Sequence, residues 1–93
     1  MPNPPKRNML ERVADLFDLP ADVVAKMPRI EITGCRRLYI ENHQGLLEYE
    51  DNLIQISGDR LIITVRGSDL RVDAMNAREL LLGGVITAVE FGW

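Results

Sequence analysis

One cysteine, one histidine and one tryptophan among 93 residues leave little material for the common site chemistries. Cys35 alone can form no intramolecular disulfide, which excludes a stapled secreted domain and fits a reducing compartment. His43 has no second histidine and Cys35 no second cysteine, so the usual zinc ligand sets are missing and the residues offer neither a metal site nor a cofactor site. The aromatic residues Phe17, Tyr39, Tyr49, Phe91 and Trp93 are too scattered to build a base-stacking platform. With a net charge of −3 and a pI near 5.0 there is no basic excess to neutralise phosphates, so nucleic acid is not an expected partner. No apolar run approaches membrane-spanning length, and Lys6-Arg7 is not followed by a signal-type apolar stretch. The expectation is a soluble, cytoplasmic chain with no direct membrane insertion.

What is present is ordinary globular material, 46% apolar and 27% charged, enough for a single small domain with a thin core. A core of that size leaves apolar surface to cover, so self-association is an early expectation. Charges of both signs alternate, as in Arg60, Arg66, Arg71 and Arg78 among Asp59, Asp69, Asp73 and Glu79, which describes a solvated surface.

The first residues carry Pro2, Pro4 and Pro5 and read as a frayed tail. Asn8 is a helix N-cap with Glu11 three residues on, and Leu10, Val13, Ala14 and Phe17 follow at helical spacing, predicting a helix over 9–17. Pro20 opens a second short helix, with Asp18 as its cap, and Pro28 closes the helical part. Residues 1–28 are thus a flexible tail and short helices packing on a sheet, and 29–93 are the β-rich remainder of one domain.

From Ile30 the period changes to two. Strands are predicted over 29–33, 38–41, 46–49, 53–57, 60–66, 69–74, 79–82 and 85–91, with 38–41 and 46–49 joined as a hairpin by the polar break Asn42-His43-Gln44-Gly45. Gly58-Asp59, Gly67-Ser68, the stretch 75–78 and Gly83-Gly84 are read as hairpin loops, because glycine supplies the positive φ of two-residue turns. No linker after Pro28 is long enough for a parallel crossover. The fold class is therefore mainly β: an antiparallel meander of about eight short strands folded into a small sandwich or roll, with an N-terminal helical segment. A short β-solenoid-like stack is the alternative, its turn chemistry irregular from one rung to the next.

The search for catalytic residues is negative. His43 lies between Asn42 and Gln44 in the reversal and reads as an exposed turn residue. Glu48, Glu50 and Asp51 are the densest acidic group, match no calcium loop and read as a solvated face. Ser57 and Ser68 have no triad context, and Cys35 reads as a small apolar residue beside a turn rather than a reactive thiol. The chain is not expected to be an enzyme.

Gly34-Cys35-Arg36-Arg37-Leu38-Tyr39-Ile40-Glu41-Asn42-His43-Gln44-Gly45-Leu46-Leu47-Glu48-Tyr49, followed by Ile54-Gln55-Ile56 and Val89-Glu90-Phe91, resembles the YabP/YqfC family of sporulation proteins, nearer its YqfC branch. The resemblance runs from Pro28 onward, and Glu41-Asn42-His43 with Gly45 is its most specific part. It implies a small protein of endospore-forming bacteria, made in the mother cell and needed for spore formation alongside a membrane-bound sporulation protein. It implies no known reaction.

Two roles stand open for Glu41, Asn42, His43 and Gly45. In the first they hold the turn: Gly45 takes a positive φ, Asn42 bonds its own turn backbone, and Glu41 pairs with Arg36 or Arg37. In the second they form a partner-docking loop. The reading of the whole chain is a non-enzymatic interaction or scaffold module that self-associates or docks through its sheet surface or an exposed edge. A small-ligand-binding regulatory domain is the alternative.

Overall fold

The computed structural model describes residues 26–93, and the expectations for the N-terminal tail and helices over 1–25 lie outside the described residues. The described chain is mainly β, with strands β1 (Arg29–Thr33), β2 (Arg37–Glu41), β3 (Leu46–Glu50), β4 (Leu53–Gly58), β5 (Leu61–Met75) and β6 (Glu79–Gly92). All pairings are antiparallel within one sheet of order β1-β2-β6-β5-β4-β3.

Three expectations are corrected by this order. There are six strands instead of eight, because Gly67-Ser68 lies within β5 and Gly83-Gly84 within β6. The runs on either side of the Asn42-His43-Gln44-Gly45 break do not form a hairpin: β2 pairs with β6, and β3 pairs with β4 at the opposite edge. The sheet is consequently no simple meander, and its antiparallel ladders replace the stacked rungs of a solenoid.

Geometry explains the shape. Through Ile56 and Ile63, the first residue of β3 is in register with Phe91, whereas the last residue of β2 is opposite Glu79 at the other end of β6. In a flat sheet those ends would be separated by roughly 40 Å along β6 and a further ~19 Å across it. The connecting residues 42–45 reach only about 17 Å when extended. The sheet must therefore bend over itself, and it does so in the middle of the long β5–β6 hairpin, where the register shifts between Arg66 and Gly67, between Ser68 and Arg71, and between Val72 and Ala74.

At the bend the two strands come too close for side chains. A Cβ on Gly67 would lie 1.8 Å from the Val85 carbonyl oxygen, and one on Gly84, whose φ is +128°, would lie 2.5 Å from the Asp69 oxygen. The turns of the outer hairpins dock there as well. Asp51 and Asn52, between β3 and β4, accept from Leu70 N (2.8 Å) and Gly67 N (3.2 Å), and Cys35, between β1 and β2, accepts from Ile86 N (2.7 Å).

The inner faces of both halves then share one core. Leu38 and Ile40 of β2 and Leu80 and Leu82 of β6 come from one half, and Ile54 and Ile56 of β4 with Ile63 and Val65 of β5 from the other. All are aliphatic and essentially fully buried, and each contributes about 1.5–3 kcal/mol relative to exposure. Gly67→Ala and Gly84→Ala are expected to lower stability by about 2–4 kcal/mol in urea denaturation, since each adds overlap at the bend. Gly92→Ala, with open space around the added methyl, should leave it unchanged.

Candidate functional site

The residues singled out by sequence, Glu41, Asn42, His43 and Gly45, meet at the mouth of the folded sheet, opposite the bend. The link 42–45 lies between the tip of the β5–β6 hairpin and the end of β4 and is bonded to both. On the hairpin side the Arg78 carbonyl accepts from Asn42 N (2.7 Å) and His43 N (3.4 Å). On the β4 side Gln44 N donates to Ser57 O (2.7 Å) and Ser57 N to Gly45 O (2.9 Å). The link is therefore a clasp that ties the two halves together.

Its residue types follow from its conformation. Asn42 has φ +63°, a left-handed conformation that asparagine tolerates better than most residues, and Gly45 has φ +121°. Space does not select the glycine, because a Cβ on Gly45 would touch nothing within 4 Å; the backbone torsion does. Asn42 bonds across elements instead of to its own turn backbone: Nδ2 donates to Met27 O (3.2 Å) and Oδ1 accepts from Arg78 Nη2 (3.3 Å).

His43 is corrected from an exposed turn residue to a buried one, 6% exposed. Its Nδ1 accepts from Gly45 N at 3.0 Å, so the ring proton sits on Nε2, which donates to Asn76 O at 2.8 Å. These two bonds join the clasp to the hairpin tip and engage both ring nitrogens. Beside the ring a surface cleft of about 540 Å3 is lined, among the described residues, by His43, Gln44, Gly45, Met75, Asn76 and Ala77, none of them a carboxylate.

Asn76 shapes the tip. Its Oδ1 accepts from Arg78 N (2.9 Å) and Glu79 N (2.6 Å), its backbone N donates to Glu79 O (2.9 Å), and its Nδ2 donates to Glu79 Oε1 (3.1 Å). Sequence reading located this turn at 75–78 but assigned Asn76 no role. An asparagine three residues before the next strand was the available signal.

Glu41 lies on the outer face and pairs with Arg29 (3.6 Å) across β1–β2, not with Arg36 or Arg37, because the register puts Arg37 at the far end of β2. Between Glu41 and Glu79 stands Tyr39, whose hydroxyl donates to Glu79 Oε2 at 2.5 Å and lies 3.1 Å from Glu41 Oε1. The bond to Glu79, then desolvation and the neighbouring Glu41, push the phenol above its ordinary value of 10.0. The Tyr39 and Asn76 bonds hold the Glu79 carboxyl below its ordinary 4.5, against a smaller desolvation effect.

The remaining sequence candidates lie apart. Glu48 and Glu50 are on edge strand β3 and Asp51 is in the turn after it, docked at the bend. Cys35 is exposed in the β1–β2 turn. Among the described residues no three His, Cys, Asp or Glu side chains are grouped to hold a metal ion, and no helix is long and apolar enough to cross a membrane.

Comparison with known proteins matches residues 25–92 to the family described as the YabP family. The chain is also similar to the uncharacterized protein YqfC of Bacillus subtilis (strain 168), with 30% identity over 86 residues covering 92% of each chain.

His43→Ala is expected to cost about 2–4 kcal/mol in urea denaturation, since it strands the Gly45 N–H and the Asn76 carbonyl. Asn42→Gly should retain more stability than Asn42→Ala, because glycine relieves the left-handed backbone while both lose the side-chain bonds. For Tyr39 the raised value favours the neutral phenol in the folded state. Its contribution is intact below pH 10 and lost as pH rises through the raised value, whereas that of Glu79 is present above pH 4.5 and lost as pH falls. NMR titration of the Tyr39 ring should show late ionisation, returning toward the ordinary value in Glu79→Gln.

Proposed function

The chain belongs to the YabP family, and we propose that it is a non-enzymatic interaction module of endospore formation, acting in the cytoplasm of the mother cell with a membrane-bound sporulation protein among its partners. The observation that carries this reading is the distribution of polar and apolar groups. The signature side chains are engaged within the fold, with His43 and Asn42 bonded to neighbouring elements, while large apolar side chains stand exposed on the sheet margins. Ile32 on β1, Leu47 on β3 and Phe91 on β6 are each about half exposed. Such an arrangement supports binding of a protein surface over processing of a small molecule. The aliphatic core between the halves supports the same choice over a ligand-binding regulatory domain, which needs convergent polar groups in a pocket.

Cross-linking in sporulating cells followed by mass identification is expected to capture the chain with a membrane-bound sporulation protein through residues on the sheet margins. Absence of any captured partner, together with normal spore yield after deletion of the gene, would count against the reading. Asn42→Ala with His43→Ala separates the two roles of the clasp: spore loss with a large fall in melting temperature assigns it to the fold, and spore loss at unchanged melting temperature assigns it to docking.

A further inference from the structure

The margins of the sheet are not equivalent. β3 is compromised as a pairing edge by a bulge between Leu46 and Glu48, and its exposed Glu48 and Glu50 would face one another in a self-paired antiparallel ladder centred on Tyr49. It also reaches across the fold, since the Tyr49 hydroxyl accepts from Val72 N at 3.0 Å and Asp51 O from Leu70 N at 2.8 Å. Beyond Gly83, β6 has no strand on the β2 side among the described residues, and the one charged side chain in that stretch, Glu90, is held by Arg66 at 2.7 Å.

Edge strand β1 differs from both. It pairs with β2 over its full length without a register shift and has no bulge, lysine or proline within it, although Pro28 directly precedes it. Its inward residues extend buried rows, Ile30 beside Ile40 and Leu80, and Ile32 beside Leu38 and Leu82. Ile32 at the open end of its row is 50% exposed although Leu38 and Leu82 next to it are fully buried. Its outward residues Arg29 and Glu31 carry opposite charges two positions apart and bond to each other.

We propose that the occupant of this edge is the β1 strand of a second copy, paired antiparallel about a two-fold axis near Ile30. This deepens the interaction reading above and rests on it. In that register Arg29 faces Glu31 of the second copy and Glu31 faces Arg29 of the second copy, so one short sequence supplies both halves of the charge match. Ile30 meets its own counterpart on the inner face, and the two copies' Ile32 side chains flank that pair. The Ile30 row of one molecule continues into the next, the Ile32 row meets Pro28 of the second copy, and two six-stranded sheets become one.

The test is a charge exchange on the full chain followed by sedimentation. The wild type is expected to show a concentration-dependent dimer. Arg29→Glu alone and Glu31→Arg alone each turn both cross-strand pairs repulsive and should weaken dimerisation roughly ten- to a hundredfold. An equimolar mixture of the two variants places only opposite charges across the edge and should regain the dimer, an outcome that a misfolded variant cannot produce. Ile32→Lys, which changes a half-exposed side chain, should give a folded monomer by amide NMR. A wild type that stays monomeric at every concentration, variants that dimerise like the wild type, or a mixture that does not recover would each overturn the pairing. A monomeric wild type that still captures a sporulation partner in cells would overturn this pairing alone and leave the interaction reading standing.

Discussion

The shortness of one connection governs this fold. Four residues must join strands that the sheet order puts on opposite sides of β6, β5 and β4, and no flat arrangement lets them do so. Everything that looks irregular in β5 and β6 serves that requirement. The register shifts, the left-handed Asp69 and the glycines at 67 and 84 let a long hairpin turn its two ends toward each other. The aliphatic core is the consequence. Alternating residues on each half find a facing layer only after the bend has formed, so core and bend must form together.

The clasp gives the four signature residues a physical reason to be of these types. A connection crossing the mouth has no continuous ladder to take up its backbone groups, and buried polar groups without partners are costly. Arg78 and Ser57 supply backbone partners on either side, and the imidazole of His43 receives the Gly45 N–H while donating to the Asn76 carbonyl. One side chain thereby serves two orphan backbone groups, which an aliphatic residue could not do. The fold and the family signature are consequently difficult to separate at this position, because any partner approaching the mouth meets atoms that already hold it shut.

Local features of this arrangement were legible in the sequence and non-local ones were not. The two-residue period of β1, β2 and β4, the turn around Asn76 and the placement of β6's end follow from short-range pattern, whereas the β4–β5 turn falls on Asp59-Arg60 instead of Gly58-Asp59, with Gly58 paired inside β4 and the positive φ on Arg60. The polar break at 42–45 misled because Asn, His and Gly suit a hairpin loop and a crossing link equally well; only the identity of the paired strands distinguishes them. Gly67 and Gly84 misled for a related reason, since glycine marks both a chain reversal and a close approach of backbones. The burial of His43 was invisible because it depends on Asn76, which is thirty-three residues away. The acidic margin of β3, by contrast, was readable as a solvated face and is one.

A closed barrel would have removed both edges, yet this sheet stops short of closure, and the manner of stopping makes its two margins unequal. The bend carries β3 across to the second half of β5, where the Tyr49 hydroxyl and the Asp51 carbonyl stand in for the missing strand. Among the described residues no such substitute reaches β1, whose strand neighbour there is β2. Such an edge sets a half-exposed isoleucine beside charges on the outer face, and charge is one means of deciding what could pair there. In the proposed pairing Arg29 and Glu31 act through sign: a strand with the same two charges in reverse order would be matched at both positions, whereas one like β3, with Glu48 and Glu50 two positions apart, would be matched at one and repelled at the other.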